Sequence, residues 1–377
     1  MNTDLGFDLT RLERVKGLCR AAVERGEIPA MALAVARQGR LIVNEAWGEV
    51  RMREEELDTQ RLPRQSHPVK AGTDTLWLIA SVTKPVVCAG ICLLLERGLL
   101  GLDDPVAMHL PEFQGDDRRN TRLLHLLTHS SGLPDMLPEN TDLRKRHAPM
   151  EEFVRLTCTT PLLFAPGAGV SYQSKGILLL AAILERITGE SCRDFLRREL
   201  FLPLGLSHTA LGWRPEFAGK TAVAHLESST PSTDWDWNSR YWREFGAPWG
   251  GMFATAAEFA ILMQMLQAGG LWQGHRFFSP GTVRAMTRNQ TADLPDLSAA
   301  DRRRSTWGLG WRVAAGRESE YMGDLLHATA YGHGGATGTG VWNDPTTGVS
   351  FVLFSNRPGC GRFIGRVSNA VAAATVA

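Results

Sequence analysis

Strand patterns occur near both ends of this chain, and this distribution limits the possible folds most strongly. Near the N-terminus, the apolar runs 31–36 and 41–47 flank a polar turn and predict a β-hairpin. Near the C-terminus, residues 338–342 and 349–354 flank the turn 344–348, which contains Asp, Pro and Gly, and predict a second hairpin. The patterns between the hairpins are mainly helical. The sequence therefore predicts one sheet built from both termini, with a helical region inserted in the middle.

Composition narrows the possible functions. A chain of 377 residues with 44% apolar content can bury one large core or two smaller ones. The net charge is +1 with both signs dispersed, so we expect no nucleic acid and no membrane partner. The N-terminal residues lack a basic segment followed by an apolar core, and the six cysteines have no metal-type spacing. We therefore expect a cytoplasmic protein with reduced thiols.

The segment Ser81-Val82-Thr83-Lys84 places a hydroxyl and an amine on one face of a predicted helix that continues to Leu95. A partly desolvated lysine loses its proton near neutral pH and then accepts the proton of a neighbouring serine, which activates that serine without a histidine. Ser81 also lies at the positive end of this helix, which favours the negative charge of an attacked carbonyl. The simpler interpretation is a capping serine beside a solvated lysine.

Two later segments favour the first interpretation. The loop 166–176 reads PGAGVSYQSKG, contains Tyr172 and runs into a predicted helix over 177–187. Near the C-terminus, residues 331–340 read YGHGGATGTG. Taken alone, the tyrosine is typical of half-buried packing, and the second segment is typical of a glycine-rich hairpin with a structural histidine.

In order and spacing, the three segments resemble the Ser-x-x-Lys, Tyr-x-(Asn/Ser) and (Lys/His)-x-Gly motifs of the serine β-lactamase and penicillin-binding-protein superfamily. The resemblance is to its class C β-lactamase-like branch, which includes family VIII-type carboxylesterases and D-amino-acid peptidases. Weaker landmarks at 123–134, 203–206, 250–255 and 308–311 extend it over nearly the whole chain.

The resemblance implies an α+β fold with a mostly antiparallel sheet flanked by helices, an all-helical second domain and an active site in the crevice between them. We place the α/β domain at 1–100 and 245–377 and the helical domain at 101–244. No cofactor and no metal are implied. His125 and His129 invite a zinc interpretation, but Leu126 follows His125, so the glutamate of a zincin motif is missing.

The resemblance also implies roles for single residues. Ser81 would be the acyl-forming nucleophile, with Lys84 as the proton acceptor beside it and Tyr172 as the third catalytic residue. A phenol near a cationic lysine would shift toward the anion, and either Lys84 or Tyr172 can be the base at this stage. The backbone N–H groups of Ser81 and Ala336 would form the oxyanion hole.

We predict that substrate binding involves Ser174, His333, Gly334, Gly335 and Trp249. The two glycines would let a substrate backbone approach a strand edge closely. Trp249, from a tryptophan-rich segment, would offer an apolar wall, with ordinary core packing as the alternative. Many relatives have a lysine and an asparagine at the positions of His333 and Ser174, where they bind substrate carboxylate and amide groups. These two replacements therefore favour ester substrates.

The sequence thus predicts a serine hydrolase, specifically a carboxylesterase that cleaves small-molecule, short-chain esters, with the oligomeric state left open. A β-lactamase, a D-amino-acid peptidase and an acyltransferase are alternatives that share the same chemistry. A non-catalytic binding domain is an alternative of another class, and the intact Ser81, Lys84 and Tyr172 argue against it.

Overall fold

The computed structural model describes residues 5–51, 68–226, 233–316 and 319–376. The strands of this part of the chain are β1 (Ala30–Arg37), β2 (Arg40–Arg51), β3 (Pro68–Lys70), β4 (Trp77–Leu78), β5 (Ala210–Leu211), β6 (Met252–Ala254), β7 (Leu271–Trp272), β8 (His275–Arg276), β9 (Arg312–Val313), β10 (Tyr331–Gly335), β11 (Thr339–Asp344) and β12 (Val349–Ser355).

The α-helices of the same residues are α1 (Leu9–Glu24), α2 (Thr83–Glu96), α3 (Val106–His109), α4 (Leu123–Leu127), α5 (Asn140–Lys145), α6 (Met150–Thr159), α7 (Lys175–Thr188), α8 (Cys192–Leu196), α9 (Arg240–Phe245), α10 (Ala256–Gln267), α11 (Pro280–Thr287), α12 (Ala299–Arg304) and α13 (Gly361–Ala374). A 3₁₀ turn at Ala80–Val82 leads into α2, and a π-helical turn at Arg197–Phe201 follows α8.

Seven strands form one antiparallel sheet in the order β3-β2-β1-β12-β11-β10-β9. Both predicted hairpins are confirmed, as β1–β2 and β11–β12. They meet in the centre of the sheet, where β1 pairs with β12 and Leu33 lies opposite Leu353. The α+β class and the joint contribution of both termini are therefore confirmed.

The two faces of this sheet bury alternate residues of each strand. Leu33 and Val35 of β1 join the apolar cluster of α1 and α13, whereas Ala32 and Ala34 join the larger cluster on the opposite face. This alternation follows from the two-residue period of a strand. Helix α10 packs on the second face, and the terminal helices α1 and α13 pack against each other on the first.

The middle of the chain is mainly helical, as predicted, but not entirely. Strand β5 lies inside the interval 101–244 and pairs with β6, which in turn pairs with β4 ahead of the Ser81 turn. The larger apolar cluster also continues from the sheet through α2 into α7 and α8. The division into an α/β domain (1–100 and 245–377) and a helical domain (101–244) stays a prediction.

The fold brings three chain segments to one place. They are the 3₁₀ turn and first turn of α2, the loop that enters α7, and the end of β10. No helix in the described residues is long and apolar enough to cross a lipid bilayer.

We predict that Ile364→Ala lowers the free energy of unfolding by about 2–4 kcal/mol, because Ile364 is buried between α13 and the sheet. Urea denaturation measures this difference. The control Leu325→Ala removes a side chain that is 58% exposed and should change stability by about 0.5 kcal/mol or less. Equal effects of the two substitutions would contradict the packing of α13 on the sheet.

Candidate active site

Ser81 and Lys84 are in direct contact. The Lys84 side chain is buried, and its Nζ donates to Ser81 Oγ at 2.9 Å and to the Trp249 carbonyl at 2.9 Å. Ser81 itself is half-buried in the 3₁₀ turn, and the preceding Ala80 has φ +47°, a conformation that costs energy for a residue with a Cβ. The turn therefore holds the Ser81 hydroxyl at the mouth of a site that encloses the amine.

Burial lowers the pKa of the Lys84 amine to about 7. The carboxylate of Asp135 opposes this shift, and the positive charge of Lys175 adds to it. A large neutral fraction of Lys84 is then present near neutral pH, and a neutral amine can accept the proton of Ser81 Oγ.

Tyr172 lies on the other side of the amine. Lys84 Nζ is 4.7 Å from the centroid of the Tyr172 ring, and the Ser81 hydroxyl is near enough to the phenol to act on its pKa. Burial raises the pKa of Tyr172 well above its usual value, and the Ser81 hydroxyl opposes this only in part. The shift toward the anion expected from the sequence is therefore wrong in direction, because the cost of burying a phenolate is the largest effect on Tyr172.

The end of β10 approaches the Ser81 turn very closely. A Cβ built on Gly335 would lie 2.3 Å from the Ile79 carbonyl oxygen and 2.2 Å from Thr339 Oγ1. Thr339 Oγ1 donates to the Ile79 carbonyl at 2.9 Å, and Thr337 Oγ1 donates to the Leu78 carbonyl at 2.6 Å. These contacts hold the segment that contains Ala336 against the segment that contains Ser81. The two threonines were not singled out in the sequence, because nothing local relates them to residues 78 and 79.

The glycines of β10 allow close packing, and their predicted role in substrate approach stays a prediction. A Cβ on Gly334 would lie 2.3 Å from Cε1 of Tyr321, so the Tyr321 ring fills the space that a side chain at this position would need. At Gly335 the corresponding space is filled by the Ile79 carbonyl. Both glycines thus allow close packing within the protein itself.

His333 is buried beside this packing. Its Nδ1 lies 2.7 Å from the Gly334 carbonyl and donates to it, and its ring centroid is 5.9 Å from that of Tyr172. Burial lowers the pKa of His333 to about 3, and the charge of Lys84 acts in the same direction. His333 is therefore neutral at physiological pH and offers no fixed positive charge at the end of β10.

Ser174 is buried, and a carboxylate that the sequence did not reveal binds its hydroxyl. Asp135 Oδ1 accepts from Ser174 Oγ at 2.7 Å and from Ser174 N–H at 2.8 Å. The two residues are 39 positions apart, and no short motif pairs them.

Trp249 contributes its backbone to the site. Its carbonyl accepts from Lys84, while its side chain is only 3% exposed and packs among the rings of Trp242, Phe245 and Phe153. The apolar wall predicted for Trp249 thus corresponds to interior packing, which was the alternative. The rings beside Tyr172 are those of His129, at 4.9 Å between centroids, and Trp307, at 5.8 Å. No sequence motif singles out Trp307.

The two histidines considered for zinc have other partners. His125 Nδ1 accepts from the Arg122 N–H at 3.1 Å at the start of α4, and His129 Nδ1 accepts from the Gln173 N–H at 3.2 Å. The His129 ring also packs on Trp307, with centroids 4.3 Å apart. Within the described residues, no cluster of three or more His, Cys, Asp or Glu side chains is arranged to hold a metal ion.

Comparisons with known proteins show the family of this chain. The family model described as Beta-lactamase matches residues 15–373, so the chain belongs to the β-lactamase family. A putative D-alanyl-D-alanine carboxypeptidase of Salmonella typhimurium is 28% identical over 383 aligned positions, which cover 94% of this chain and 84% of that protein.

Solved structures share the fold. A penicillin-binding protein homologue from Caulobacter crescentus has a TM-score of 0.76 at 24% identity and covers 96% of this chain and 97% of its own. A family VIII carboxylesterase has a TM-score of 0.75 at 20% identity, with 96% of each chain covered. The predicted superfamily is confirmed, and the chain is a serine hydrolase of the β-lactamase and penicillin-binding-protein superfamily.

We predict that a fluorophosphonate probe labels Ser81 and that its labelling rate falls roughly tenfold per pH unit below about pH 7. Protonated Lys84, whose pKa is about 7, cannot accept the Ser81 proton. Mass spectrometry of the labelled peptide over about pH 5.5–8.5 measures the rate. Ser81→Ala should take no label, and Ser207→Ala, at an exposed serine, should label normally. A rate that does not change with pH would contradict Lys84 as the base.

Proposed function

We propose that this chain is a carboxylesterase that cleaves short-chain esters through an acyl-enzyme at Ser81. The observation that supports Ser81 as the nucleophile is the buried Lys84 amine, which lies 2.9 Å from Ser81 Oγ. The observation that favours esters is His333, a buried neutral side chain where a cation would bind a substrate carboxylate.

In the proposed reaction, neutral Lys84 takes the proton of Ser81 while Oγ attacks the ester carbonyl carbon. The backbone N–H groups of Ser81 and Ala336 stabilise the resulting oxyanion. The C–O bond to the alcohol then breaks, and the alkoxide receives a proton from Lys84 or through the neutral phenol of Tyr172. Water hydrolyses the acyl-enzyme by the same sequence in reverse, which regenerates the Ser81 hydroxyl.

This assignment gives Lys84 and Tyr172 distinct tasks. Lys84 has a pKa near 7 and is the base, whereas Tyr172 has a raised pKa and stays protonated, so it can donate to Ser81 or the leaving group. The effect of the Ser81 hydroxyl on the pKa of Tyr172 supports this path, because it requires the phenol to lie near the reacting oxygen.

A D-amino-acid peptidase is the second candidate. The curated relatives at 28% identity are named putative D-alanyl-D-alanine carboxypeptidases, which supports a peptide substrate with a free carboxylate. That substrate needs a positive charge near the end of β10, and His333 does not supply it. The proposal also includes a cytoplasmic location, supported by six cysteines that are all buried and unpaired.

We predict that kcat/KM is higher for nitrophenyl butyrate than for nitrocefin or a D-alanyl-D-alanine peptide. A missing cation–carboxylate hydrogen bond removes roughly 1.5–3 kcal/mol, or about one to two powers of ten, from carboxylate-bearing substrates. All three substrates should be compared on one preparation, with Ser81→Ala as the background control. Faster cleavage of nitrocefin or of the peptide would overturn the ester assignment.

We also predict that Lys84→Ala and Tyr172→Phe each lower kcat by roughly two or more powers of ten, and that the double variant loses far less than the product of the two. Residues that move the same proton are not additive. Tyr241→Phe is the matched control, because its hydroxyl bonds the Ala148 carbonyl away from the site and its loss should leave kcat near normal. Multiplicative losses would show that Lys84 and Tyr172 act separately.

A further inference from the structure

A second lysine is buried beside the first. Of the six lysines in the chain, Lys84 and Lys175 are buried, with 1% and 0% of their surfaces exposed. Lys84 is in the first turn of α2, and Lys175 is the first residue of α7. The two helices pack together. The site therefore contains two amines, and the reaction proposed above uses one of them.

Helix formation and packing do not explain Lys175. Its Nζ has no hydrogen-bond partner among the residues that the structure describes, and it lies over the rings of Trp249 at 4.0 Å and Phe153 at 5.2 Å. The positive end of a helix disfavours a cation, and a buried amine without an acceptor lowers stability. A methionine would fill the same space without either cost.

Both amines contact the same residue. The Trp249 carbonyl accepts a hydrogen bond from Lys84 Nζ at 2.9 Å, and Lys175 Nζ lies over the Trp249 indole ring. We propose that Lys175 is a positioning residue for Lys84: it holds Trp249 in place from the ring side and sets a second amine close enough to Lys84 that the two are not both protonated. This inference rests on the proposed function, in which Lys84 is the base.

The charge of Lys175 lowers the pKa of Lys84, and other groups act on Lys175 itself. Burial lowers the pKa of Lys175 to about 7, Arg144 acts in the same direction, and Asp135 opposes both. Asp135 also opposes the shift of Lys84, so one carboxylate faces both amines. Its Oδ1 is bound to Ser174, and neither amine has a hydrogen bond to it. Each proton that one amine gains then makes protonation of the other more costly.

The test is the pH profile of Lys175→Met. Removing the second amine should raise the pKa of Lys84, so the acid limb of kcat/KM for nitrophenyl butyrate should move up by roughly 0.5–1.5 pH units. KM should change little, and activity on the alkaline plateau should stay within about threefold of normal. Lys220→Met removes an equal charge at an exposed position and should leave the profile unchanged. A uniform loss at all pH values, without a shift of the limb, would mean a structural role and would overturn the proposal.

A second measurement does not depend on ester turnover. Selective ¹³Cε labelling of lysine gives six side-chain signals, and loss of a signal in Lys84→Met assigns Lys84. In Lys175→Met, or in Lys175→Gln if the first variant does not fold, the Lys84 signal should titrate at higher pH. In the wild type, the Lys84 and Lys175 signals should each titrate over a wider range than a single independent group. Independent, unshifted titration would overturn the coupling even if the protein cleaves esters. A shift without any ester turnover would instead contradict the proposed function alone.

Discussion

The burial of the Lys84 amine between the Ser81 hydroxyl and the Trp249 carbonyl is the contact on which the rest of the site depends. An ammonium in this place loses its hydration, so burial moves its pKa into the physiological range. The two acceptors satisfy the amine without neutralising it, since neither is a carboxylate. A nearer acid would have kept Lys84 protonated and unable to accept a proton.

Keeping that amine enclosed requires close packing on the β10 side. Gly335 and the Ile79 carbonyl lie in contact, and the hydroxyls of Thr337 and Thr339 tie the same strand end to the chain just before Ser81. Any side chain at position 335 would push these segments apart. The glycine-rich segment is thus the consequence of a sheet edge that must touch the turn that contains Ser81.

Two of the polar side chains near Ser81 stay neutral. Tyr172 and His333 are neutral because burial opposes the ionised form of each, and Trp307 and His129 pack their rings against the same place. The guanidinium of Arg312 lies over the Trp307 ring at 5.3 Å, and its charge, like that of Lys84, lowers the pKa of His333 further. The ester preference proposed above rests on this neutral histidine.

The sequence by itself determined the strands at both ends, the helices that follow Ser81 and Tyr172, and the three motifs, because these depend on local periodicity and short spacing. Only the tertiary structure decided which groups face the amine. Asp135, Lys175, Trp307 and the Trp249 carbonyl come from distant parts of the chain, and no local pattern relates them. Burial is likewise a property of the packed molecule. It reversed the expected shift of Tyr172, turned Trp249 inward and gave the glycines of β10 a role in packing.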